Sequence, residues 1–60
     1  MTAREVIKRL VADGWYLVGQ KGSHKQFAHA QKPGKVTVPE HPGDLKPGTL
    51  HSIMKQAGWK

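Results

Sequence analysis

Four histidines are spread through this sequence, at His24, His29, His41 and His51. An unperturbed imidazole titrates near neutral pH, so it can take or give a proton there, and it also ligates metals. The spacing weighs against a metal. His24 and His29 stand five residues apart and fall on opposite faces of a regular strand, and no two histidines stand at helical i, i+4 spacing. With zero cysteines there is no thiolate to complete a zinc set. Among the acids, Glu5 and Asp13 read as helix-end residues. Glu40 and Asp44 share a loop, which is thin for the closely placed metal pair of a two-metal nuclease. Ser23 is not embedded in a nucleophile-elbow sequence that would supply a base and an oxyanion hole. Neither a metal nor a cofactor is expected.

His24 is the better chemical candidate. It follows Gly22-Ser23 at a turn, where its side chain can stay exposed, and it stands between Lys21 and Lys25. RNA carries its own nucleophile, the 2′-hydroxyl. A histidine that removes this proton, or protonates the departing 5′-oxygen, can drive strand cleavage without a metal, a contribution of about 10²–10⁴-fold. Lys21 and Lys25 would offset the charge that builds on phosphorus. The plainer reading of the same residues is an ordinary exposed histidine beside a turn.

Charge points to a polyanionic partner. Lys and Arg number 10 against 4 Asp and Glu, for a net +6. Residues 14–39 contain no acid and carry +4, from Lys21, Lys25, Lys32 and Lys35, while each flank carries only +1. A concentrated positive field of this kind attracts nucleic acid. Neither candidate helix is mainly basic, as a membrane-surface helix would be, and no apolar run suits a membrane span or a signal peptide. The absence of cysteine fits a reducing compartment, so a cytoplasmic location is expected. At 60 residues the chain is read as a single domain, 1–60. A domain of that size buries only about 60% of its unfolded surface, so its core must be small.

The elements that must position these residues are legible. Thr2 and Glu5 have capping-box spacing, and Val6, Ile7, Leu10 and Val11 recur at helical spacing, which predicts a helix over 2–13. Gly14 suits its left-handed cap. Strand formers fill 15–20, a turn follows at 21–23, and a second strand spans 24–30. Lys32-Pro33-Gly34-Lys35 is a turn signal, and 35–38 alternates as a short third strand stopped by Pro39. A loop over 39–46 leads to a helix over 47–57, with Pro47 at its first position and Leu50, Ile53, Met54 and Ala57 as its buried stripe. The fold class is α+β, ordered α-β-β-β-α: a three-stranded antiparallel sheet with both helices on one face.

That arrangement leaves the other sheet face open. Residues of equal parity on a strand share a face. If Phe27 faces the helices, Lys25 and His29 share its side, and His24, Gln26 and Ala28 point to the open face. A bulge close to Gly22 would overturn this assignment.

Gly22-Ser23-His24 opening a strand, Val38-Pro39 with His41 close behind, Leu45, and Lys46-Pro47-Gly48-Thr49-Leu50 leading into Ile53-Met54-Lys55-Gln56-Ala57-Gly58 together resemble the HicA toxin family, in order and over nearly the whole chain. The resemblance implies a fold similar to double-stranded-RNA-binding domains. It implies the toxin of a type II toxin–antitoxin system, acting in stress responses as a ribosome-independent mRNA interferase, an endoribonuclease that the histidine chemistry above would make metal-independent. It implies that His24 is catalytic and that a HicB-like antitoxin neutralises the protein. The free toxin is expected to be monomeric and the antitoxin complex hetero-oligomeric. His41 matches the family's loop histidine, in phosphate contact or in loop structure. The RNA-binding set is then Lys21, Gly22, Ser23, Lys25, Lys32, Lys35 and His41. The competing reading is a non-catalytic RNA-binding module, which such a fold would also support. Trp15 and Trp59 are expected to pack rather than to stack on bases.

Overall fold

The computed structural model describes residues 1–40 and 42–59. It contains α1 (Ala3–Ala12), β1 (Trp15–Lys21), β2 (His24–His29), β3 (Val36–Pro39) and α2 (Pro47–Gln56), in the expected α-β-β-β-α order. The start of α1 follows from the reciprocal cap: the Glu5 amide donates to Thr2 Oγ1 at 3.2 Å, and the Thr2 amide donates to Glu5 Oε1 at 2.9 Å. The bond from the Thr2 amide, then the Thr2 hydroxyl beside it, favours the carboxylate and holds the Glu5 carboxyl below its ordinary range.

The three strands form an antiparallel sheet in the order β1-β2-β3. Trp15, Phe27, Val36 and Val38 are buried on one face, together with Ala3, Val6 and Leu10 of α1 and Ile53 of α2. Both helices therefore cover the same side, and Ala57 and Leu45 close the ends of that core. Three details depart from the sequence reading. Of the expected stripe of α2, Ile53 and Ala57 are buried, but Leu50 and Met54 are only half-buried. Val11 stays 57% exposed, so the buried stripe of α1 is narrower than its apolar composition suggested. Pro39 ends β3 from inside the strand instead of stopping it from outside; β3 is an edge strand, where a missing amide can be tolerated.

An irregularity in the β1–β2 register falls between Leu17 and Gly19, so Val18 is the extra residue. It lies on β1, leaving β2 regular. His24 therefore faces away from the helices, opposite in side to Phe27. Directly paired residues share a face, and His24 pairs with Lys21 on one side and Pro39 on the other. Gln26 pairs with Gly19 and Thr37, and Ala28 pairs with Tyr16, along the same open face.

Candidate active site

The turn that presents His24 has two central residues, Gly22 and Ser23, between the paired Lys21 and His24. Gly22 has φ +60°, and an added Cβ there would meet nothing within 4 Å. Glycine is thus required by the backbone dihedral rather than by crowding, as at the first central position of tight hairpin turns with positive φ. Gln20 braces the turn, its Nε2 donating to the Gly22 carbonyl at 3.1 Å.

A second brace joins the turn to the loop after β3. The Glu40 amide donates to the Ser23 carbonyl at 2.6 Å, and Lys25 Nζ forms an ion pair with Glu40 Oε2 at 2.8 Å. The Gly-Ser-His and Val-Pro segments, fifteen residues apart, are thereby held side by side, with His24 opposite Pro39. His41 lies outside the described residues. An open groove of about 440 Å³, lined by Thr2, Ala3, Arg4, Glu40, Pro42 and Gly43, borders this loop.

His24 is exposed, and among the described residues its imidazole has no hydrogen-bond or ion-pair partner. Lys21, its cross-strand neighbour on the open face, is also exposed and unpaired among the described residues. The other lysines are placed differently. Lys25 pairs with Gln20 and Val38 on the helix-facing side, where it holds Glu40. Lys32 lies beyond the far end of β2, where Nζ meets Asp13 Oδ2 at 2.8 Å and the Ala57 carbonyl at 3.2 Å. Lys35 is exposed just before β3 and has no partner among the described residues. It is displaced from His24 by about four strand residues, or ~13 Å.

Two residues prove to be structural centres. Asp13 Oδ2 accepts from Lys32, from Trp59 Nε1 at 3.1 Å and from Trp15 Nε1 at 3.2 Å. The Lys32 bond first, then the two indole bonds, hold its carboxyl at about 2, below the usual 3.8. His29 is a clasp and not a reacting group. Its Nδ1 accepts from the Gln31 amide at 3.0 Å, which leaves Nε2–H to donate to the Asp13 carbonyl at 2.8 Å, and its ring meets Trp15 edge-on at 5.1 Å. Trp15 is buried, and the half-buried Trp59 has Arg9 over its ring at 4.5 Å, so both indoles pack against the protein. Sequence reasoning gave Asp13 only a helix-end role. Its partners stand 2, 19 and 46 residues away, and only the first separation has a local signal.

A protein-family model described as HicA toxin of bacterial toxin-antitoxin matches residues 3–59. The chain belongs to the HicA toxin family. The match takes in every element of the fold, including the Gly-Ser-His turn and the loop after β3. Comparison with curated proteins found no match. Membership makes this chain the toxin of a toxin–antitoxin pair and implies an antitoxin partner. Among the described residues no helix is long and apolar enough to cross a membrane, and no three metal-ligating side chains converge.

Proposed function

We propose that this HicA toxin is a metal-independent, ribosome-independent endoribonuclease acting on mRNA in the cytoplasm, and that His24 moves the proton in strand cleavage. The observation that carries this reading is an exposed imidazole, without a partner among the described residues, fixed beside Lys21 on an open sheet face. His24 takes the proton from a ribose 2′-hydroxyl. The 2′-oxygen attacks the adjacent phosphorus, the bond to the 5′-oxygen breaks, and that oxygen leaves with the proton that the His24 imidazolium returns, so the imidazole ends neutral. The products are a 2′,3′-cyclic phosphate and a 5′-hydroxyl. Lys21 stabilises the charge gathered on the phosphoryl oxygens. Gly22 and Ser23 present these two side chains. Lys35 and the loop that contains His41 extend the contact with the RNA backbone, and Lys25 and Lys32 add to the positive field while serving in ion pairs. A HicB-like antitoxin neutralises the toxin by blocking access to RNA.

The test is incubation of wild-type and His24→Ala proteins with a defined single-stranded RNA in EDTA. Cleavage by wild type alone supports the reading. RNA binding by both proteins with cleavage by neither would replace it with the non-catalytic binding module.

A further inference from the structure

Five large apolar side chains are exposed among the described residues, and three of them are consecutive on β1: Tyr16 at 52%, Leu17 at 51% and Val18 at 45%. A fourth, Val11 at 57%, belongs to α1. By helical spacing Val11 and Ile7 lie on the flank of α1 opposite Arg9 and Asp13, which reach toward Trp59 at the end of α2. Because α1 packs on β1 and β3 while α2 packs on β3, that flank turns toward the outer side of β1. The apolar residues thus flank the β1 edge from both faces of the sheet: Tyr16, paired with Ala28, on the open face, and Leu17, paired with Phe27, on the helix side with Val11.

The same edge has open backbone. β1 is first in the sheet order and pairs only with β2. The opposite edge is different: on β3 the Thr37 amide donates to Gln56 Oε1 at 3.0 Å, so α2 partly occupies that side. An uncovered edge strand with a hydrophobic run is a template for strand addition from another chain.

Charge selects the occupant. A second copy carries the same net +6 and is repelled as a whole, whereas an acidic chain is attracted by the same field. We propose that the antitoxin docks by adding an extended segment to the outer edge of β1. Its apolar side chains cover Tyr16, Leu17, Val18 and Val11, and its acidic side chains face the basic end of the strand at Lys21. β1 has seven residues, so a segment along it runs ~24 Å and ends beside His24. Docking at the edge and denial of RNA are thereby one event. This inference rests on the antitoxin partner that family membership implies, and not on the ribonuclease reading.

The test co-expresses the toxin with its own antitoxin and compares wild type with Leu17→Asp/Val18→Asp and Leu17→Lys/Val18→Lys. Each variant is checked for folding by circular dichroism. The aspartate pair is expected to weaken antitoxin binding by at least ~100-fold, the lysine pair by less, since two aliphatic contacts are lost in both but like-charge repulsion arises only in the first. Hydrogen exchange on the wild-type complex provides a second readout that needs no variant: amides of 15–21 should slow on binding. Unchanged affinity of the aspartate pair, or exchange protection confined to 23–24 and 38–40, overturns the proposal. A wild-type chain that dimerises by itself through this edge would assign it to a second copy and also overturn it. A wild-type chain that binds no antitoxin would instead remove the premise.

Discussion

Replacing Gly22 with the two mirror forms of alanine separates backbone demand from packing at the turn that presents His24. At φ +60° an L-residue is in the left-handed region, which costs about 1–2 kcal/mol. Nothing lies within 4 Å of the added Cβ, so no steric term is added. For a domain of this size that cost lowers Tm by about 4–16 °C. A D-alanine suits positive φ and restricts the unfolded chain, so it should stabilise by about 0.4–1 kcal/mol and raise Tm. A 60-residue chain is short enough for chemical synthesis, and thermal unfolding followed by circular dichroism measures both forms. Gly14 is the internal comparison. Its φ is +99°, and an added Cβ would stand 2.7 Å from His29 Nε2, the atom bonded to the Asp13 carbonyl. Gly14→Ala should therefore cost about 2–3 kcal/mol, combining strain with a displaced hydrogen bond. The D-form at Gly22 should keep RNA cleavage, and the L-form should lose more activity than its unfolded fraction explains. If both mirror forms shift Tm in the same direction, the dihedral is not what demands glycine there.

Acid stability should depend on Asp13. Its folded carboxyl is held at about 2, below the ordinary 3.8, so its contribution is complete above the unfolded value and is lost as pH falls from about 4 through 2. Asp13→Asn should flatten that limb of the Tm–pH curve, and an unaltered limb would refute the assignment. The lysines should divide by role. Lys21→Ala should lower kcat/KM for RNA by about 10-fold or more with little change in Tm. Lys32→Ala should lower Tm through loss of the Asp13 ion pair and leave the pH profile of cleavage in place. Equal effects of the two substitutions on cleavage would contradict that division.

The fold was legible where local chemistry acts alone. Thr2 and Glu5 announce the start of α1, Pro47 that of α2, and the β1–β2 and β2–β3 turns are written in Gly22-Ser23 and Lys32-Pro33-Gly34-Lys35. The face occupied by His24 followed from Phe27 and strand parity, because the bulge fell on β1. That bulge itself was not legible: Trp-Tyr-Leu-Val has no polar alternation to mark which residue is extra. Nor did the sequence say which lysines would be engaged. Lys25 and Lys32 differ from Lys21 and Lys35 only through acids brought near by folding, 15 and 19 residues away. Net charge describes the field but not which ammonium groups are already paired.

The central claim is that His24 activates the RNA's own 2′-hydroxyl. The most direct measurement uses an RNA with one 2′-deoxyribose at the cleaved position, incubated in EDTA with wild-type and His24→Ala proteins. Wild type should cut the unmodified RNA, leaving a cyclic phosphate, and spare the deoxy position. His24→Ala should be slower by about 10²–10⁴-fold with its fold intact. Cleavage at the deoxy position, or His24→Ala cutting at the wild-type rate, would contradict it.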